Sequence, residues 1–159
     1  MKTQFQNSFK NQPVKNRTFS VLFFILFMSL IGRNAITAQT RVTDLNPGTG
    51  NSVPQSLVVY AGQLFFSATD GATGSELYAF NGTSASLKAD VRVGTLGSNP
   101  SYLTVYNSKL YFQANEGVFG TELWVYDGIS ASRVSDISTG AGNASPQSLY
   151  VFGGKLYFT

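Results

Sequence analysis

The feature that most constrains this chain is a gapless internal repeat of 46 residues. Gly-Thr-Glu-Leu-Trp-Val-Tyr-Asp-Gly at 120–128 is matched by Gly-Ser-Glu-Leu-Tyr-Ala-Phe-Asn-Gly at 74–82. Shifting the chain by that length aligns two full units, 44–89 and 90–135, and a third, partial unit, 136–159. The two full units are identical at 19 of 46 positions, far above chance. Seven positions agree in all three copies: Asp44/Asp90/Asp136, Gly48/Gly94/Gly140, Pro54/Pro100/Pro146, Leu57/Leu103/Leu149, Val59/Val105/Val151, Leu64/Leu110/Leu156 and Phe66/Phe112/Phe158. A short tandem unit builds one supersecondary module that buries its apolar faces against its neighbours.

Turn chemistry and side-chain alternation identify the module. Leu57–Tyr60 and Gln63–Phe66 flank Ala61-Gly62, where the later copies place Asn107-Ser108 and Gly153-Gly154. These residue types suit a two-residue hairpin turn. With those turns, Val59 falls opposite Leu64 and Leu57 opposite Phe66, and all four share one face. A third strand is expected at about 75–80 and 121–126. It ends in the hairpin signals Asn81-Gly82 and Asp127-Gly128. A weaker fourth strand is expected through Ser84–Lys88 and Ser130–Val134, followed by a Gly/Pro loop into the next unit. No helical periodicity follows Ala38. The expected fold is all-β: tandem four-stranded antiparallel blades, a partial β-propeller, preceded by a signal-peptide helix.

The first 38 residues read differently. Lys2, Lys10, Lys15, Arg17 and Arg33 precede or flank the apolar run Val21–Ile31 without an acid among them, and Ala38-Gln39 offers a cleavage site. This is a signal-peptide pattern, and the run is shorter than the ~20 residues a spanning helix needs. The expected division is a signal peptide over 1–38 and repeats over 39–159. The product is secreted or held at the cell surface, and it touches the membrane only during export. The net charge of +3 comes from this leader. Without those five residues, six basic side chains face eight acidic ones, so nucleic acid is not an expected partner.

Chemistry is restricted further by the absence of both Cys and His. Disulfides, thiolate or imidazole metal sites and His-assisted nucleophiles are excluded. Carboxylates and oxygen-ligated metals remain. Asp44, Asp90 and Asp136 recur ahead of Gly-rich loops and are the candidates for Ca²⁺, but an Asp there more ordinarily accepts hydrogen bonds from its own turn. No other cofactor is expected. Asp70 and Glu116 stand six residues before Glu76 and Glu122, a spacing that could suggest paired catalytic acids. Their recurrence in both units points to structure, because an active site is normally single. Tyr78 and Trp124 could stack on sugar rings if exposed, although an aromatic in a blade strand more often packs on the neighbouring blade. Asn81-Gly-Thr83 and Asn143-Ala-Ser145 match a glycosylation pattern that matters only in a eukaryotic secretory pathway.

Glu122-Leu-Trp-Val-Tyr-Asp-Gly128 resembles the ELWxxDGT repeat family of long exported bacterial proteins, notably of Bacteroidetes, and the similarity covers 43–159. Ile129 stands where the family has Thr. The first unit keeps Thr83 but has Tyr78 for Trp and Asn81 for Asp. The resemblance implies a surface or secreted protein, often with more repeats and a C-terminal secretion signal, and no family catalytic residues to carry over. The last residues, Leu156–Thr159, fall inside an expected strand, which reads as a truncated open reading frame. The leading functional expectation is a non-enzymatic adhesion or interaction scaffold for an unknown surface protein or glycan. The alternative is the repeat part of a larger secreted polysaccharide-active or other hydrolytic enzyme with its catalytic residues elsewhere.

Overall fold

A computed structural model describes residues 43–159 and contains strands but no helix in that range. The expected leader, 1–38, and its signal-peptide helix lie outside the described residues. In the first unit, β1 (Gln55–Tyr60), β2 (Gln63–Thr69), β3 (Ser75–Phe80) and β4 (Ala85–Ala89) form a four-stranded sheet in sequential order. In the second unit, β5 (Ser101–Tyr106), β6 (Lys109–Asn115), β7 (Thr121–Tyr126) and β8 (Ala131–Arg133) form a second sheet in the same order. All neighbours are antiparallel. The third unit contributes the hairpin β9 (Tyr150–Phe152) and β10 (Lys155–Tyr157).

The two-residue turns form where their chemistry places them. Both residues of Ala61-Gly62, Asn107-Ser108 and Gly153-Gly154 have positive φ, as a twist-matched hairpin turn requires. Val59 pairs with Leu64 as expected, but Leu57 does not simply face Phe66. The register moves from Val58↔Phe65 to Gln55↔Ser67, so Ser56 and Leu57 together oppose Phe66. The second sheet repeats this bulge between Ser101 and Thr104. The extra residue sits in the left-handed region in every copy, with φ of 53° at Ser56, 56° at Tyr102 and 51° at Ser148, the conformation of a one-residue bulge. Strand alternation alone could not locate it, because Ser and Tyr are not the usual bulge residues.

The third-to-fourth strand connection also departs from expectation. Asn81-Gly82 is not a two-residue turn: Phe80 pairs with Ala85, leaving a four-residue loop. Asn81 Oδ1 accepts the N–H groups of Thr83 and Ser84, both at 2.9 Å. Asp127 does the same for Ile129 and Ser130 at 2.8 and 2.9 Å. The side chain stands in for a ladder partner and stabilises a longer loop than the dipeptide suggests. The fourth strands start one residue later than expected, at Ala85 and Ala131.

The two sheets meet face to face. Tyr60, Phe65, Leu77 and Ala79 of the first pack with Leu110, Phe112, Trp124 and Tyr126 of the second in one core. The Phe65 and Tyr126 ring centroids are 5.6 Å apart, and Tyr60 stands edge-on to Phe65 at 5.3 Å, within the favourable range for aromatic pairs. On the other side of the first sheet, Phe66, Ala68 and Tyr78 form a smaller cluster with Leu45, Leu64, Phe80 and Ala85. Repeat-equivalent positions therefore have unequal surroundings. Phe112 is 0% exposed and Phe158 is 42% exposed.

Two predictions follow from this packing and backbone. Phe112→Ala should cost about 3–5 kcal/mol in urea unfolding, the range for a large aromatic lost from a core, whereas Phe158→Ala should cost under about 1 kcal/mol. Val53, a β-branched residue at φ 42°, occupies the position held by Asn99 in the next unit. Val53→Asn should raise stability by about 0.5–1 kcal/mol, because Asn tolerates left-handed backbone better.

Candidate functional site

The recurring motif assembles one polar site per full repeat, at the start of the third strand. Gly74 has φ 73° and lies so close to the Leu96–Gly97 backbone that a Cβ would overlap it. Gly120, at φ 72°, stands in the same relation to Gly142 and Asn143. Gly is required twice over, for its backbone angle and for the close approach. That approach carries the following loop across the third strand. Asn99 N–H donates to Ser75 O, and Ser145 N–H donates to Thr121 O, both at 3.0 Å.

Two residues after each Gly, a glutamate is fully buried. Glu76 Oε2 accepts Val91 N–H at 2.9 Å and the Ser98 hydroxyl at 2.6 Å. Its Oε1 accepts Ser98 N–H at 2.6 Å and Arg92 N–H at 3.3 Å. Glu122 accepts Ile137 N–H at 3.0 Å, Ser138 N–H at 3.4 Å and Ala144 N–H at 3.2 Å. The second cage is one donor poorer because Ala144 replaces Ser98. Burial pushes the Glu76 carboxyl above its ordinary 4.5, while the Ser98 hydroxyl and the N–H groups of Val91, Ser98 and Arg92 pull it back down. Each carboxylate ties the third strand to the link that leads to the next unit.

The preceding acids serve other loops. Asp70 Oδ1 accepts Ala72 N–H and Thr73 N–H at 2.8 Å and the Thr73 hydroxyl at 3.0 Å. The backbone bonds from Thr73 and Ala72 hold its carboxyl down to about 2. Its stabilising contribution is present above the ordinary 3.8 and is lost as pH falls towards about 2. Glu116 lies 3.6 Å from Arg133, which also reaches Asp136 at 3.6 Å and covers the Phe119 ring at 3.8 Å. Asp70 and Glu76 thus bond to separate loops, as do Glu116 and Glu122.

Of the Ca²⁺ candidates, Asp136 also accepts Gly140 N–H at 3.2 Å, a bond within its own loop. Among the described residues no three acidic side chains cluster. Tyr78 and Trp124 are both buried, Trp124 in the core between the sheets, so neither ring offers a face to a sugar. Sequence reasoning missed the role of Ser98. Its only signal was a hydroxyl two residues before each of the first two repeats' Pro, at Ser52 and Ser98.

Glu76→Gln should destabilise the chain by about 2–4 kcal/mol, because an amide NH₂ must then face an N–H donor inside a buried cage. Glu122→Gln should cost less, and Ala144→Ser should recover stability by supplying the missing hydroxyl. Since the native carboxyl of Glu76 lies above 4.5, its favourable contribution is complete below that pH and declines as pH rises through the native value. The stability gap between wild type and Glu76→Gln should therefore be wider at pH 5 than at pH 8, read from urea midpoints.

Compared with protein-family models, curated proteins and solved structures, the chain has no match in any of the three. The likeness to ELWxxDGT repeats rests on the residues quoted above.

Proposed function

We propose that this chain is an exported, non-enzymatic repeat protein whose tandem sheets are blades of a β-propeller-like array, acting as a cell-surface adhesion or interaction scaffold. The observation that carries the reading is the use made of the recurring acids. Glu76 and Glu122 spend their oxygens on the link to the next unit, and Asp70 and Asp127 spend theirs on their own loops. Side chains held this way build a frame, and function must be argued from what the frame presents. The leader pattern over 1–38 supplies the route out of the cell. Binding to a surface protein or glycan then rests on exposed strand and loop positions that differ between repeats, such as Val93, Val118 and Ile129.

Expression of the whole chain in a bacterial host tests this reading. The protein should appear outside the cytoplasm without residues 1–38, and the purified material should bind an envelope fraction or a glycan on an array while hydrolysing none of a polysaccharide panel. Retention in the cytoplasm, or turnover of any panel member, would overturn it.

A further inference from the structure

Each full unit carries a polar cleft at the end of its sheet where the second and third strands join. In the second unit Arg92 and Asn99 of the link meet Ser101, Gln113, Asn115 and Thr121 of the sheet around a space of about 300 Å³. Ser98, whose hydroxyl goes to Glu76, completes the lining. The first unit's cleft uses equivalent positions but has Val53 in place of Asn99 and no charged residue. The second unit lies between two neighbours: the first sheet packs on it, and the Thr104 hydroxyl donates to Leu149 O of the third unit at 3.2 Å. Its cleft opens at the sheet's end, clear of both contacts.

The lining side chains use up acceptors on one another and leave donors over. The Ser101 hydroxyl donates to Gln113 Oε1 at 2.7 Å, which leaves both N–H bonds of the Gln113 amide. Asn115 Oδ1 accepts Gly117 N–H at 2.7 Å, and its Nδ2 donates to Thr121 Oγ1 at 3.0 Å. One Asn115 N–H and the Thr121 hydroxyl proton are left. Among the described residues Arg92 makes no ion pair; those that form belong to Arg133. The Arg92 guanidinium lies across Gly117, where a Cβ would meet its Nε at 3.0 Å, so it stands on the loop that Asn115 holds.

A fixed cation beside surplus donors suits a ligand that brings negative charge and several oxygens. The planar guanidinium fork matches a carboxylate through two parallel hydrogen bonds. Amide and hydroxyl groups match the hydroxyls of a sugar ring, and no hydrophobic side chain borders the cleft to take up a lipid or an apolar peptide side chain. The volume is at the small end for ligand sites, which suits one sugar residue. We infer that the second unit's cleft binds an acidic sugar, a hexuronate residue of a glycan, with Arg92 on its carboxylate and Asn99, Gln113, Asn115 and Thr121 on its hydroxyls. This site deepens the scaffold reading above and rests on its glycan branch.

Titration calorimetry of the full chain with oligomers of galacturonate, glucuronate and mannuronate provides the test. At least one should bind, and its methyl ester, and acetate alone, should each bind at least about tenfold more weakly, since each lacks one half of the match. Arg92→Asn installs the residue that the first unit has at Asn46. It should weaken binding by at least about tenfold and leave the urea midpoint unchanged, because Glu76 is held by the Arg92 backbone N–H and not by its side chain. Gln113→Ser, the residue at Ser67 in the first unit, should weaken binding by about two- to tenfold, the yield of one neutral hydrogen bond. A methyl ester or acetate that binds as tightly as the acid oligomer, or an Arg92→Asn variant that binds as wild type does, would overturn the site. Wild type that ignores all three uronates but retains another glycan or an envelope fraction would overturn the site and leave the scaffold reading standing. Binding to none of these would overturn both.

Discussion

A carboxylate is costly to remove from water unless donors replace its hydration, and this fold does so once in each full repeat. Glu76 and Glu122 sit at the start of the third strand and accept three or four hydrogen bonds from the segment that links one sheet to the next. Charge-assisted bonds of this kind are roughly twice as strong as neutral ones. A buried carboxylate that lost them would be a large liability. The link is therefore held in one conformation, and its conformation decides how the following strand enters its sheet.

The rest of the motif makes that arrangement possible. Gly74 and Gly120 let the link come within backbone contact of the strand. Leu77 and Leu123 are buried behind the carboxylates. Asn81 and Asp127 close the outer loop with their side chains, and Gly82 and Gly128 take the positive φ that loop needs. One nine-residue segment thus places a close approach, a polar clamp, a core residue and a loop closure along a single strand. Its repetition follows from the repetition of the task.

Packing then divides the invariant positions by location. Leu103 and Phe112 pack against the first sheet, while Leu57 and Phe158, at the same repeat positions in other units, are 60% and 42% exposed. Burying an apolar side chain fully is worth about 1.5–3 kcal/mol, so identical residues contribute differently according to whether a neighbour is present. Trp124 shows the same dependence. Its ring looks equally suited to a core or a sugar, and the first sheet lying over it makes it core.

The sequence by itself determined the repeat length, the all-β class, the sequential strand order, the three tight turns and the pairing of Val59 with Leu64. Each of these is written in local chemistry or in the two-residue period of a strand. Tertiary structure alone decided the bulge that puts Ser56 beside Leu57 opposite Phe66, the length of the Asn81 loop, and the purpose of Glu76. A bulge leaves no compositional mark when its residues are Ser and Tyr. The donors that surround Glu76 come from positions 15 to 22 residues further along the chain. Such a cage exists only after the link has folded back over the strand, so residue spacing could show that the acid recurs but not what it holds.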